Sequence, residues 1–276
     1  MTRPPSPATG AAVGVGAEAR AEIEGRLAAI EAEEGVEILF AVESGSRAWG
    51  FASPDSDYDA RFVYRHPGNW YLSVREARDV IERPILDDYD VNGWDLRKAL
   101  RLLLKSNPPL YEWLRSPIVY RDRDGFRMAL AGLAETHYAQ RALAHHYRNI
   151  ASGHWRRGFQ DRDRVKRKKY LYIVRALLAV GWLRQCESLP PMSFQELMAG
   201  QALPAGFVTA AEALIAEKAS TPELGEAPPI PALDAWILAA LESAEAYCRS
   251  LPPRPPDLEA VDAFFRNWAG FGDVPA

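Results

Sequence analysis

Cysteine is nearly absent: Cys186 and Cys248 are the only two in 276 residues. Two are too few for a disulfide framework, and they lack the spacing of a zinc site. Long apolar runs are missing as well, and a membrane-spanning helix needs about 20 such residues in a row. The short Ala/Gly/Val run near the start is broken by glycines and too weak for a signal-peptide core. Positive charge is not in excess either: 33 Lys/Arg against 37 Asp/Glu leave a net charge of −4. No global cationic field therefore advertises a nucleic-acid partner. Sparse cysteine makes the reducing cytoplasm the expected location, and no membrane partner is expected.

What is present is ample core material. Apolar residues make up 48% of the chain, with eight Trp and eleven Tyr, enough for one large domain or two small ones. Residues 1–16 are dense in Pro and Gly and read as a disordered lead. Gly14-x-Gly16-x-x-Ala19 formally fits a dinucleotide-binding pattern but follows no strand, so it is set aside. From Ala17 to Glu34, Ile23, Leu27 and Ile30 recur at helical spacing, and Gly35 ends the helix. Val36 to Val42 is a strand-length run of β-formers.

The stretch from Ala41 to Tyr64, AVESGSRAWGFASPDSDYDARFVY, carries the chemistry. Gly45-Ser46 reads as a tight turn, either an ordinary loop or a phosphate cradle built from backbone N–H groups and the Ser46 hydroxyl. Arg47 either adds a cation to that pocket or lies on the surface. Glu43 and Ser44 either orient the turn or are merely solvated. On the strand that follows, Asp57, Asp59 and Arg61 share one face, with Tyr58, Ala60, Phe62 and Tyr64 on the other. Two adjacent carboxylates repel unless a cation neutralises them, and Mg²⁺ takes one or two carboxylates while leaving positions for phosphates.

These residues resemble the nucleotidyltransferases of the DNA polymerase β superfamily, whose mark is a Gly-Ser turn followed by an acidic-x-acidic strand. A nearer resemblance is to the RlaP-type proteins associated with RNA repair. ESGSRAWGF, SPDSDYDARFVY, VNGWDLRKALRLLLKSNPPLYEWLRSPIVY and KKYLYIVRALLA carry it, spanning roughly residues 41–180. It implies a third carboxylate on a neighbouring strand. Asp90, in Tyr89-Asp90-Val91, is preferred to Asp95, which sits before LRKALRLLL as a helix N-cap. Asp57, Asp59 and Asp90 would then be the catalytic carboxylates, holding two Mg²⁺ ions and an NTP, ATP foremost.

A second signal lies at WRRGFQDRDRVKRKK, residues 155–169, where eight Lys/Arg face two Asp, a local excess of six. Lys168, Tyr172 and Arg175 fall at i, i+4 and i+7 on the helix expected over Asp163 to Trp182, beside an apolar stripe of Leu171, Val174 and Leu178. Either this is a solvated face, or Lys168, Lys169 and Arg175 bind triphosphate and Tyr172 stacks on a base; part of the charge could instead follow an RNA backbone. His145, His146 and His154 show no zinc spacing. The expected class is α+β: a nucleotidyltransferase α/β domain with a mixed sheet over residues 17–120, then a helical domain over 121–276. The expected function is transfer of an NMP to a hydroxyl acceptor, RNA among the candidates. The alternative is a non-catalytic nucleotide- or RNA-binding module on the same fold.

Overall fold

The computed structural model describes residues 14–75, 77–159, 162–221 and 224–271. Most of the expected N-terminal lead, residues 1–13, lies outside them, as do Gln160 and Asp161 of the basic run.

Helix α1 spans Ala17–Glu34 and ends at Gly35, whose φ of 63° is the left-handed C-cap conformation. Strand β1, Glu37–Glu43, follows, then a short helix α2, Gly45–Trp49, and strand β2, Tyr58–Arg65. The Gly-Ser element is thus the first turn of a helix rather than an isolated tight turn. Strands β3 (Val80–Glu82) and β4 (Tyr89–Asp95) lead into α3 (Leu96–Leu104) and α4 (Pro108–Leu114). Strand β5, Val119–Asp122, closes the sheet. Its order is β3-β4-β2-β1-β5. The β2–β4 pair is parallel and the others antiparallel, so the sheet is mixed.

The helical half comprises α5 (Phe126–His137), α6 (Gln140–Gly158), α7 (Lys168–Cys186), α8 (Phe194–Ala199), α9 (Ala205–Ser220), α10 (Pro231–Ser250) and α11 (Leu258–Trp268). Between α6 and α7, β6 (Val165–Lys166) pairs with β7 (Glu226–Ala227). That pairing replaces the helix expected from Asp163 onward: α7 starts only at Lys168. Among the described residues, no helix is long and apolar enough to cross a membrane.

Strand alternation sorts the two faces of the sheet. Ala60, Phe62 and Tyr64 of β2, each at most 1% exposed, pack with Ile23, Leu27 and Ile30 of α1. Burying each aliphatic side chain contributes about 1.5–3 kcal/mol. On the opposite face Leu39, Val42 and Val63 join a core that continues through α3 to α7 and on to α10. Leu171, Val174 and Leu178 lie in it, on the buried stripe their spacing predicts. Asp95 caps α3, accepting from the Arg97 N–H at 2.8 Å and from the Tyr71 hydroxyl at 2.8 Å. The sheet and the helices therefore share one core, with the carboxylate-bearing end of β2 at their junction.

Candidate active site

A cavity of about 370 Å³ opens at that junction, lined by Ser44, Gly45, Ser46, Trp49, Asp57, Asp59 and Arg61 from the sheet half, and by Lys168, Tyr172 and Lys218 from the helices. The hydroxyls of Ser53 and Ser56 and the carboxylate of Asp55 complete one wall.

Gly45 is where it is because of Asp59. A Cβ on Gly45 would stand 1.9 Å from Asp59 Oδ2, and the residue has φ +58°. Only glycine meets both demands without strain. Asp59 itself is set from two sides. Its N–H donates to Glu43 Oε1 at 3.0 Å, and its carbonyl accepts from the Ser44 N–H at 2.8 Å. Glu43, read from sequence as a residue either orienting the turn or merely solvated, is 0% exposed. It accepts a second hydrogen bond from the Tyr120 hydroxyl, and burial pushes its carboxyl up to about 7. Burial also raises the Asp59 carboxyl; the Arg61 guanidinium opposes this, while the charges of Asp90 and Asp57 add to it. The carboxylates thus repel one another across the site, the condition a bound cation relieves.

Asp59 and Asp90 stand opposite in the parallel β2–β4 register. The guanidinium of Arg61 lies between them. One of its nitrogens donates to Asp59 Oδ1 at 2.8 Å and to Asp90 Oδ2 at 2.7 Å. The other donates to the Asp90 carbonyl at 2.7 Å. Asn92 donates to the remaining Asp90 oxygen. Both oxygens of Asp90 are therefore occupied, and Asp90 is not part of the cavity wall, unlike Asp57 and Asp59. Two carboxylates open to a phosphate-sized cavity fit a hard divalent cation such as Mg²⁺. Among the described residues no group of three metal-ligating side chains converges, so a third ligand at Asp90 requires Arg61 to withdraw.

Three cations expected at the nucleotide lie elsewhere. Arg47 is 8% exposed and turns inward: its guanidinium donates to the carbonyls of Ser56 at 2.6 Å and Asp57 at 3.2 Å. It also lies 4.0 Å over the Tyr58 ring, so it braces the loop that carries Asp57. Arg175 shares the stripe of Lys168 and Tyr172 but lies deeper, 5% exposed. It pairs with Glu112 at 2.8 Å and donates to the Met192 carbonyl. Lys169 lies near Gly158 and His154 of α6 and does not line the cavity. Lys168 and Tyr172 do line the cavity. The phenol of Tyr172 is raised by burial and then by the charges of Asp59 and Asp57. Its ring meets Trp49 edge-on at 5.6 Å and stacks beside His154 at 6.1 Å, forming an aromatic wall above the acids.

Sequence reasoning missed Trp49 and Lys218. Lys218 is the last-turn lysine of α9, and no local pattern marks it.

Paired carboxylates on a mixed sheet, beside a Gly-Ser helix start and beneath a helical wall, are the layout of a nucleotidyltransferase-type protein. The family model of the RNA repair pathway DNA polymerase beta family, RlaP, matches residues 19–267, and the chain belongs to that family. It is 48% identical over 169 residues to the uncharacterized protein YcgL of Bacillus subtilis (strain 168), a match covering 61% of this chain and 65% of that protein, under two thirds of its length. A crystal structure of a nucleotidyltransferase-like protein from Exiguobacterium sibiricum aligns over 92% of this chain and 82% of that one at 13% identity, with a TM-score of 0.27. That last likeness is too low to carry an argument.

Proposed function

We propose that this chain is a divalent-metal-dependent nucleotidyltransferase that moves an NMP from an NTP, ATP foremost, to a hydroxyl acceptor and releases pyrophosphate. RNA is the acceptor class that the basic α6–α7 joint favours. The observation that carries this reading is the single cavity in which Asp57 and Asp59 face Lys168 and Tyr172. Asp57 and Asp59 would hold Mg²⁺, with Asp90 if Arg61 turned aside, and the ion would supply charge neutralisation at the phosphates and at the attacking oxygen. Lys168 offsets charge on the phosphate chain, which raises the electrophilicity of the α-phosphorus. Tyr172 and Trp49 give the base an aromatic face, and Gly45 keeps Asp59 forward. The acceptor hydroxyl forms the new P–O bond in line as the bond to pyrophosphate breaks, and its proton passes to a carboxylate of the site, a role Asp90 takes only once Arg61 has released it.

Purified protein, labelled NTPs, Mg²⁺ and RNA or small hydroxylated acceptors test this. Label should move to an acceptor, and the Asp57→Ala/Asp59→Ala variant should lose the transfer by at least about a hundredfold. Undiminished transfer by that variant overturns the reading. The ion pairs of Arg61 with Asp59 and Asp90 favour a second reading, a non-catalytic binding module whose acids need no metal. It predicts NTP or RNA binding that persists in chelator and never turns over.

A further inference from the structure

Lys218 enters the cavity from α9, and its surroundings are unusual for an ammonium. The residue is 3% exposed. Its Nζ lies 3.4 Å from Ser53 Oγ and 3.5 Å from Ser56 Oγ, both long contacts. Those hydroxyls are 2.9 Å apart and already bonded to each other. Beneath lies the Phe51 ring, 5.6 Å from the nitrogen. Among the described residues no carboxylate forms an ion pair with Lys218. A lysine has three N–H donors and no acceptor, and burying a charge without a counter-ion is costly. The cavity side is where a partner has room, and Lys168 lines the same cavity.

We propose that Lys218 is a substrate-binding residue: its ammonium takes an oxygen of the nucleotide's phosphate chain alongside Lys168, so that its protonation sets the pH range of nucleotide binding. This rests on the nucleotide-site reading above.

The charged groups around Lys218 give the sign of the pH effect. Burial lowers its pKa to about 8, Lys168 from α7 and Arg47 from α2 push the same way, and Asp55 on the facing loop opposes them. In the free protein Lys218 is therefore charged below that value and neutral above it. A polyanion binds the charged form, so affinity falls as pH rises through it. Ser53 and Ser56 hold the nitrogen in place but supply no charge. Lysine, not arginine, gives the cavity a cation that burial can titrate.

The test is binding without turnover. A non-hydrolysable ATP analogue at fixed Mg²⁺ and, separately, inorganic tripolyphosphate are titrated calorimetrically into the full chain between pH 6.5 and 9.5, with thermal melts alongside. Wild-type affinity for both probes should fall on the order of tenfold across that range. Lys218→Met should bind on the order of tenfold more weakly at pH 7 and lose the pH slope. Lys218→Arg should keep the affinity and flatten the slope, because a guanidinium stays charged. A Lys218→Met protein that binds both probes as the wild type does, or keeps its slope, overturns the proposal while leaving the nucleotide site standing. So does a lowered melting temperature with unchanged affinities, which marks a purely structural lysine. Failure of the wild type to bind either probe at any pH overturns both readings together.

Discussion

Replacing Arg175 with Met removes one half of a buried ion pair that joins the helices to the cavity. The two side chains are 6% and 11% exposed, and the Arg175–Glu112 contact is 2.8 Å. Glu112 would keep only the Tyr147 hydroxyl at 3.0 Å and the Trp49 indole N–H at 3.3 Å. The Met192 carbonyl would lose both guanidinium donors. Removing one partner of such a pair typically costs about 3–5 kcal/mol, because the remaining charge stays buried. For a chain of this size that corresponds to a melting-temperature drop of roughly 6–20 °C. Arg175 also lies 4.6 Å over the Trp49 ring, so nucleotide affinity should weaken through the displaced indole. The Glu112→Gln/Arg175→Met double variant should be less destabilised than the sum of the single variants, by about 1 kcal/mol or more. Thermal or urea unfolding of the four proteins measures this. An Arg175→Met protein that melts within about 2 °C of the wild type but loses nucleotide binding outright would refute the reasoning and return Arg175 to the phosphates.

Two more substitutions probe the carboxylate end. Gly45→Ala forces a methyl group against Asp59 and a left-handed backbone on alanine, so it should cost about 1–2 kcal/mol of stability and abolish transfer; thermal melts and the labelled-NTP assay check both. Arg61→Gln removes the guanidinium that holds Asp59 and Asp90, so Mn²⁺ affinity measured by electron paramagnetic resonance should rise, on the order of tenfold. Unchanged or weaker Mn²⁺ binding would show that Arg61 does not compete for those oxygens.

Periodicity made much of the architecture legible. Alternation along β2 put Ala60, Phe62 and Tyr64 on α1 and left Asp59 and Arg61 facing the cavity, because a strand has only two faces. Helical spacing put Lys168 and Tyr172 on one stripe for the same kind of reason. What periodicity cannot supply is depth. Arg175 lies on that stripe, yet seven residues along the helix has passed from the cavity into the core, where Glu112, 63 positions away in sequence, receives it. Glu43 ends an apolar strand and looks like a solvated acid until Tyr120, 77 positions on, closes over it. Lys218 meets Ser53 across 165 positions. Each of these depends on a partner that only the tertiary fold delivers, and no local pattern encodes it.

The net charge of −4 suggested a chain with little appetite for polyanions, but the quantity that matters is how charge is separated within the cavity. Asp55, Asp57 and Asp59 come from the sheet half, and Lys168 and Lys218 come from the helices. In the proposed function Asp57 and Asp59 would hold a cation and the lysines would take phosphate, so the cavity would need no overall excess of either sign. This division also explains why the helices cannot be an accessory. Gln195 of α8 donates to the Gly50 carbonyl at 2.7 Å, Lys218 reaches Ser53 and Ser56, and Arg175 bears on Trp49. All three contacts fall on the segment between β1 and β2. That segment runs from Ser44 to Asp57 and leads directly into Asp59, so the helical half helps to hold the loop from which the carboxylates project.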